Sequence, residues 1–345
     1  MTRLAALGER LDAPLLVTNL VNVRYLVGFA SSNAALLVRP GGETTLYTDF
    51  RYAEAAQAVP DVELVMVKRS LVTDIASRLS GRVQFESKAI SYGSWQELDG
   101  GEAELVPTTG IVEELRAVKS DDEVAKIARA AKIADRAFEA LTAETWVGRT
   151  EREVAWRLRE LLHAHGSDVQ SFDTIVASGP NGALPHARPT ERIIEKRELV
   201  TIDWGCGFDG YFSDCTRTVS TGDISGKLQE IYDVCLRAQE AAVARLRAGM
   251  SGVDADALAR APIAEAGYGD NFGHGLGHGV GLEVHEAPSL STLSKDTLAV
   301  GNVVTVEPGI YLPGEGGVRI EDDVVIREDG VDVITSFPKQ LIEVA

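Results

Sequence analysis

The first part of the chain alternates short apolar runs with turns. Leu15 to Thr18, Ala34 to Val38, Thr44 to Thr48 and Val62 to Val67 each have the length of a strand, and Arg51 to Ala58 between the last two has helical spacing. Together they predict a small α/β unit. From Gly93 to Gly110 the pattern weakens into Gly, Thr and acidic residues. A domain boundary is expected near the end of that stretch, dividing the chain into segments 1–112 and 113–345.

Beyond Ile111 the period changes. Leu115, Val118, Val124, Ile127, Ala131, Ala134, Ala137, Phe138 and Leu141 recur at helical spacing. Ser120 with Glu123 three residues on forms a capping box, so one helix ends near Val118 and a longer one begins at Asp121. Further helices are expected from Glu151 to His165 and from Ser225 to Ala248, with strands between and after them. Two strand regions share a layout. Glu198 to Asp203 passes through a Gly-rich turn into Tyr211 to Val219, and Asn302 to Glu307 passes through Pro308 to Gly317 into Val318 to Ile326. Each brings one acid from either arm towards a common place, Asp203 with Asp214 and Glu307 with Glu321. The layout reads as a pseudo-repeat of two strand pairs facing one site. The fold class is therefore α/β in the mixed, α+β sense.

A chain of 345 residues is too long for one ordinary core and suits two domains of roughly 100 to 200 residues each. Asp and Glu outnumber Lys and Arg by 52 to 34, a net charge of −18 that repels a phosphate backbone, so no nucleic-acid partner is expected. No run approaches the roughly 20 apolar residues of a membrane span, and Met1 to Leu20 lacks the pattern of a secretory signal. Cys206, Cys215 and Cys235 are too few for a disulfide framework and read as small buried hydrophobes, which fits a reducing cytoplasm. A soluble, cytoplasmic protein is expected.

The candidate chemistry lies in Asp203, Asp214, His278, Glu307 and Glu321. Four carboxylates and one imidazole suit a pair of divalent cations, whose four positive charges balance the four negative ones. Strand alternation puts Asp214, Thr216 and Thr218 on one face, so Thr216 is placed to hydrogen-bond a ligating carboxylate. Arg319 shares a face with Glu321 in the same way. His274 and His278 stand in a run with Gly at every second position, a poor helix. An extended strand is expected there, its glycines facing another backbone or a substrate, with His285 on its continuation. Of the six histidines, His186, His274, His278 and His285 fall in such Gly- or Pro-rich contexts, whereas His163 and His165 end a helix and read as surface residues. Oxygen-rich ligation with one imidazole favours Mn, Co or Zn in a two-metal site that activates water, hence metal-assisted hydrolysis.

These segments resemble the M24 pita-bread metallopeptidases, and within them the proline-specific branch of aminopeptidase P and prolidase. The likeness is carried by Ile202 to Gly205, Ser213 to Thr218, His274 to Glu286, Thr305 to Gly309 and Gly317 to Asp322, with Asn22 to Leu26 resembling the N-terminal domain of that family. The resemblance implies a creatinase-like N-terminal domain before a pita-bread catalytic domain. It implies two metals on Asp203, Asp214, His278, Glu307 and Glu321, with Asp214 and Glu321 bridging, a bridging hydroxide as nucleophile and Glu307 as its proton acceptor. Manganese is the expected metal, with cobalt or zinc as alternatives. His285 is implied to hydrogen-bond the scissile carbonyl, His186 to line the substrate pocket, His274 to shape the proline pocket, and Arg319 to hold neighbouring carboxylates. The implied substrates are small peptides with a free amino end and proline second, and the implied assembly is a homodimer. Because the bond before proline has no N–H, a peptidase for it needs a shaped pocket.

Substrate length divides the branch. For a prolidase the resemblance implies an arginine shortly after the position of His285, to hold the C-terminal carboxylate. Here no arginine follows His285 through Gly301. The expected activity is therefore that of an Xaa-Pro aminopeptidase. The alternative is an Xaa-Pro dipeptidase in which Arg188 or another loop supplies the anchor. A non-catalytic pita-bread binding protein, or the metal-free creatinase branch, is disfavoured because all five ligands are kept. Methionine aminopeptidase is disfavoured because it has no matching N-terminal domain.

Overall fold

The computed structural model describes residues 2–68 and 70–345, and the chain divides into two compact units between Arg116 and Ala117. The division falls a few residues after the position expected from composition. Helix 111–117 explains the difference, because Val112 and Arg116 are buried in the first unit.

In the first unit, strands β1 (Leu15–Val17), β2 (Ala34–Val38), β3 (Thr44–Thr48), β4 (Glu63–Met66), β5 (Ser80–Glu86) and β6 (Glu102–Thr108) form one sheet in the order β4-β3-β2-β1-β5-β6. β1 to β3 pair antiparallel, while β5 lies parallel to β1 and β6. Helices α1 (Arg3–Gly8), α2 (Leu20–Val27), α3 (Ala53–Gln57), α4 (Leu71–Ala76), α5 (Tyr92–Asp99) and α6 (Ile111–Ala117) complete the unit. The region of weak pattern contains α5 and β6. β6 is the sheet edge and alternates exposed with half-buried residues, so it lacks an apolar run. The segment that resembled the family here is a polar lock. Glu86 accepts from the backbone N–H groups of Thr18 and Asn19 at 2.7 and 2.8 Å and from Asn22 Nδ2 at 2.6 Å. Asn22 Oδ1 accepts from Arg116 at 2.8 Å.

The second unit begins with the capping box of Ser120 and Glu123 on α7 (Asp121–Thr142), followed by α8 (Glu151–Ala164). Two antiparallel sheets carry the pseudo-repeat. In the first, β8 (Ile175–Ser178) pairs with β9 (Leu199–Trp204), which pairs with β12 (Cys215–Ser220). In the second, β13 (Gly277–Gly279), β14 (Glu286–Leu290), β15 (Val303–Val306), β18 (Asp322–Ile326) and β19 (Val331–Val333) run in the order β14-β13-β15-β18-β19. The connection inside each pair is itself a hairpin. β10 (Cys206–Phe208) and β11 (Tyr211–Phe212) lie between β9 and β12, with β7 (Val169–Gln170) added to them, and β16 (Gly309–Leu312) and β17 (Gly316–Arg319) lie between β15 and β18. The halves are stitched by Glu321 N–H to Thr216 O at 3.1 Å and Thr218 Oγ1 to Arg319 O at 3.1 Å.

Helices cover each sheet. α7 and α8 pack on β8, β9 and β12, while α9 (Gly226–Val243) and α10 (Gly252–Glu265) pack on the other sheet. α10 is absent from the sequence reading, and α9 ends before the expected Ala248. α10 buries Gly252, Ala255, Asp256, Ala259 and Ile263, a face of small and charged residues with one large apolar one, and carries Pro262 in its interior, so neither amphipathicity nor propensity announces it. The three cysteines are unpaired and buried. Among the described residues no helix is long and apolar enough to cross a membrane. Trp204 is fully buried, stacks on Phe138 at 4.0 Å and donates Nε1–H to Ala134 O at 3.1 Å. Trp204→Ala is expected to destabilise the protein by about 3–5 kcal/mol in denaturant unfolding. A loss under 1 kcal/mol would show that the layer between α7 and β9 is not a packed core.

Candidate metal centre

Every acid of the candidate set stands at or beside a strand end. Asp203 lies near the end of β9, Asp214 just before β12, Glu307 just after β15, and Glu321 between β17 and β18. His278 is the middle residue of β13. These ends converge. One ligand oxygen from each of Asp203, Asp214 and Glu321 lies within 4.8 Å of the others. His278 Nε2 is 3.3 Å from Glu307 Oε1 and 3.9 Å from Asp214 Oδ2. All five residues line one cleft of about 470 Å³.

Neighbours orient each carboxylate. Thr216 Oγ1 donates to Glu321 Oε2 at 2.7 Å, as the strand alternation predicts. Arg319 donates Nη2–H to Asp203 Oδ2 at 2.6 Å, Nε–H to Thr216 Oγ1 at 3.1 Å and Nη1–H to Tyr311 Oη at 2.9 Å. Thr305 Oγ1 lies 3.1 Å from Glu307 Oε1 and accepts from the His278 N–H at 3.1 Å. Asp323, which the sequence reading passed over, accepts the Asp214 N–H at 2.9 Å. The signal for it was present, because Asp323 follows Glu321 by two residues and so shares its strand face.

The arrangement is electrostatically incomplete. Burial, reinforced by Glu321 and Asp203, holds the Asp214 carboxyl well above the usual range, and burial with Glu307 and Asp203 does the same to Glu321. Burial raises Asp203 despite Arg319 and pushes Asp323 up to about 8. Glu307 differs. Burial opposes its charge, but the His278 hydrogen bond and charge outweigh it and lower Glu307 to about 2. Burial would lower His278, yet Glu307 raises it. Among the described residues, Asp203 Oδ1, Glu321 Oε1 and Asp323 Oδ1 are buried without a hydrogen-bond partner. Buried carboxylate oxygens without donors, on acids that repel one another, fit bound cations.

The glycine-spaced segment departs from expectation. Only Gly277 to Gly279 is strand; residues 280–285 bend back, and β14 returns antiparallel to β13. Close backbone approach on both flanks requires glycine in this strand. A Cβ on Gly277 would fall 2.1 Å from Thr305 O, and one on Gly279 would fall 2.2 Å from Ala287 O. His285 is therefore on a turn and not on a continued strand, yet its ring centroid lies 4.2 Å from that of His278. Burial and the neighbouring His278 lower its pKa. His274 reaches the same cleft from the loop before β13, held by Tyr311 Oη at 2.9 Å and Gly275 O at 2.8 Å. Burial lowers its pKa also.

His186 and Arg188 line the cleft from the loop after β8. Glu151, fully buried at the start of α8, fastens that loop. It accepts from Ser178 N and Oγ at 2.7 Å each and from Thr190 N and Oγ1 at 3.0 and 2.6 Å. Nothing in the sequence separates Glu151 from an ordinary first-turn acid. Arg319 Nη1 adds a bond to Pro185 O at 3.1 Å. Arg188 is exposed and, among the described residues, has no hydrogen bond or ion pair.

Four carboxylates at converging strand ends with one imidazole beside them, set between two sheets, make a candidate metal centre. Residues 125–328 match metallopeptidase family M24 and residues 3–118 match the creatinase/prolidase N-terminal domain. The chain belongs to family M24: it is a peptidase with a creatinase-like N-terminal domain and a pita-bread catalytic domain. It is 46% identical over 335 residues to the uncharacterized peptidase YqhT of Bacillus subtilis, covering 95% of each chain. It is 37% identical over 325 residues to the Xaa-Pro dipeptidase of Pyrococcus furiosus, covering 93% of each. Among solved structures, the Xaa-Pro dipeptidase from Bacillus anthracis superposes with a TM-score of 0.95 at 40% identity, over 99% of this chain and 98% of that one. The X-Pro aminopeptidase from Thermotoga maritima gives 0.89 at 34% identity, over 98% and 99%.

The raised carboxyls set the behaviour of the metal-free protein. A group whose folded pKa exceeds its unfolded value stabilises below the unfolded pKa and loses that contribution as pH rises through the folded one. Asp203, Asp214, Glu321 and Asp323 all act this way, over a window from about pH 4 to about 8 for Asp323. Glu307 acts oppositely, but its contribution changes only below about pH 4.3. After chelation, melting temperature is expected to fall between pH 5.5 and 8, and added divalent metal to restore it most at pH 8. A metal-free melting temperature that rises over this range would contradict the electrostatic reading.

Proposed function

We propose that this peptidase is an Xaa-Pro dipeptidase, hydrolysing the bond before proline in dipeptides with a free amino end. The observation that carries the reading is its near full-length likeness to the Xaa-Pro dipeptidase from Bacillus anthracis. The likeness to the Pyrococcus furiosus dipeptidase supports it. This reverses the aminopeptidase preference drawn from the missing arginine after His285.

Asp203, Asp214, His278, Glu307 and Glu321 would hold two divalent ions, manganese first, with cobalt or zinc suited to the same donors. The partnerless oxygens of Asp203 and Glu321 support that assignment. When bound, the ions supply Lewis acidity that lowers the pKa of a shared water and polarises the scissile carbonyl. Glu307 would accept the proton of the attacking water. His285, neutral because burial and His278 lower its pKa, donates an N–H to the carbonyl oxygen as charge develops there. His274, fixed by Tyr311, shapes the proline pocket, and His186 lines the entry. Arg319 keeps Asp203 in place and, through Pro185 O, the loop that faces the substrate.

The substrate carboxylate needs a cation. Arg319 is engaged on all sides and only 3% exposed, whereas Arg188 faces the same cleft without a partner among the described residues. Arg188 therefore takes the C-terminal carboxylate of the dipeptide in this reading. A second reading, an Xaa-Pro aminopeptidase, is favoured by the absence of arginine from His285 through Gly301 and by the likeness to the Thermotoga maritima enzyme. A cytoplasmic homodimer completes the proposal, the first part supported by three unpaired cysteines.

With manganese loaded, Ala-Pro is expected to be cleaved and Ala-Pro-Ala to be poor, while equal turnover of both would favour the aminopeptidase. Arg188→Ala is expected to raise KM for Ala-Pro about tenfold or more, the loss of one charge-assisted hydrogen bond. Asp214→Ala is expected to abolish turnover and metal binding together. Turnover retained by the folded Asp214→Ala variant would remove the residue from the centre.

A further inference from the structure

We infer that the buried ion pair of Lys119 and Glu286 is the device that positions His285, a role that rests on the peptidase reading above. His285, the last residue before β14, and Glu286, the first residue of β14, point opposite ways. His285 is exposed to the cleft, while the Glu286 carboxylate turns inward to Lys119 Nζ at 2.7 Å, the two side chains being 5% and 1% exposed. Among the described residues no hydrogen bond holds the His285 ring; its ring contact is with His278. The direction of His285 therefore depends on its backbone, and Glu286 is the neighbouring side chain tied into the interior.

Lys119 is well placed to be the fixed end. Its N–H donates to Gly301 O at 2.9 Å, Nζ lies 3.3 Å from Ala117 O, and Asn302 Nδ2 donates to the same Ala117 O at 2.8 Å. Val118 bridges Asn302, the residue just before β15. β15 leads directly to Glu307. Through Lys119 and Glu286, the turn that carries His285 is thus referenced to the strand that presents Glu307. The glycine run makes room for this link, since a Cβ on Gly281 would fall 2.4 Å from Glu286 Oε1. A pair so deeply buried is a poor source of stability compared with apolar residues of the same volume, so its value lies in where it holds the chain.

The test replaces the pair by apolar residues, Lys119→Met with Glu286→Leu, which removes both charges of the pair together. With metal loaded, kcat for the cleaved Xaa-Pro peptide is expected to fall about 10-fold to 100-fold while KM stays within about threefold. In a His285→Ala background the same double replacement is expected to cause no further loss. In crystals, the His285 ring is expected to move by more than about 0.5 Å, the tolerance of a working site. An unchanged kcat, an equal loss in the His285→Ala background, or an unmoved ring would each overturn the positioning role. A parent protein without turnover would count against the peptidase reading, and the ring position would then decide the present inference alone.

Discussion

Mutual repulsion of carboxylates in a cleft of low polarity is the constraint on which the second unit depends. Asp214 and Glu321 are almost wholly buried and Asp203 and Glu307 partly so, with the Arg319 guanidinium and the His278 imidazole as the nearby basic groups. Those two cannot neutralise four acids. The imbalance appears as raised carboxyls on Asp203, Asp214 and Glu321 and as partnerless buried oxygens, and the proposed pair of divalent ions would remove both. A site of this kind is stable only while the surrounding chain keeps the acids from moving apart.

The fold supplies that restraint twice over. Each half places one acid before and one after an inserted hairpin, and the halves are joined backbone to side chain along Thr216, Thr218, Arg319 and Glu321. The backbone of each acid is thus fixed within or beside a paired strand. Further from the centre, Glu151 fastens the two ends of the loop that carries His186 and Arg188, at Ser178 and Thr190.

Much of this was legible because its causes are local. The Ser120 and Glu123 capping box marks the start of α7 by hydrogen bonds within one turn. Strand alternation pairs Thr216 with Glu321, and the repeated strand-hairpin-strand layout brings Asp203, Asp214, Glu307 and Glu321 together. What was not legible depends on tertiary crowding. The bend after Gly279, which turns β14 back against β13, goes with a close approach of the Ala287 and Thr305 carbonyls that only glycine permits, and no pattern in the run itself shows where the chain turns. α10 was hidden by Pro262 and a row of alanines. Substrate length was not legible either: the missing arginine after His285 favours an aminopeptidase, whereas the dipeptidase relatives favour the alternative, and Arg188 lines the cleft from a loop distant in sequence.

The central claim is that the five converging residues form a two-ion centre. Anomalous diffraction from crystals grown with manganese measures this most directly. The account expects two peaks per chain, both contacting Asp214 and Glu321, one also contacting His278 and Glu307 and the other Asp203. A single peak, or peaks away from these residues, would contradict it.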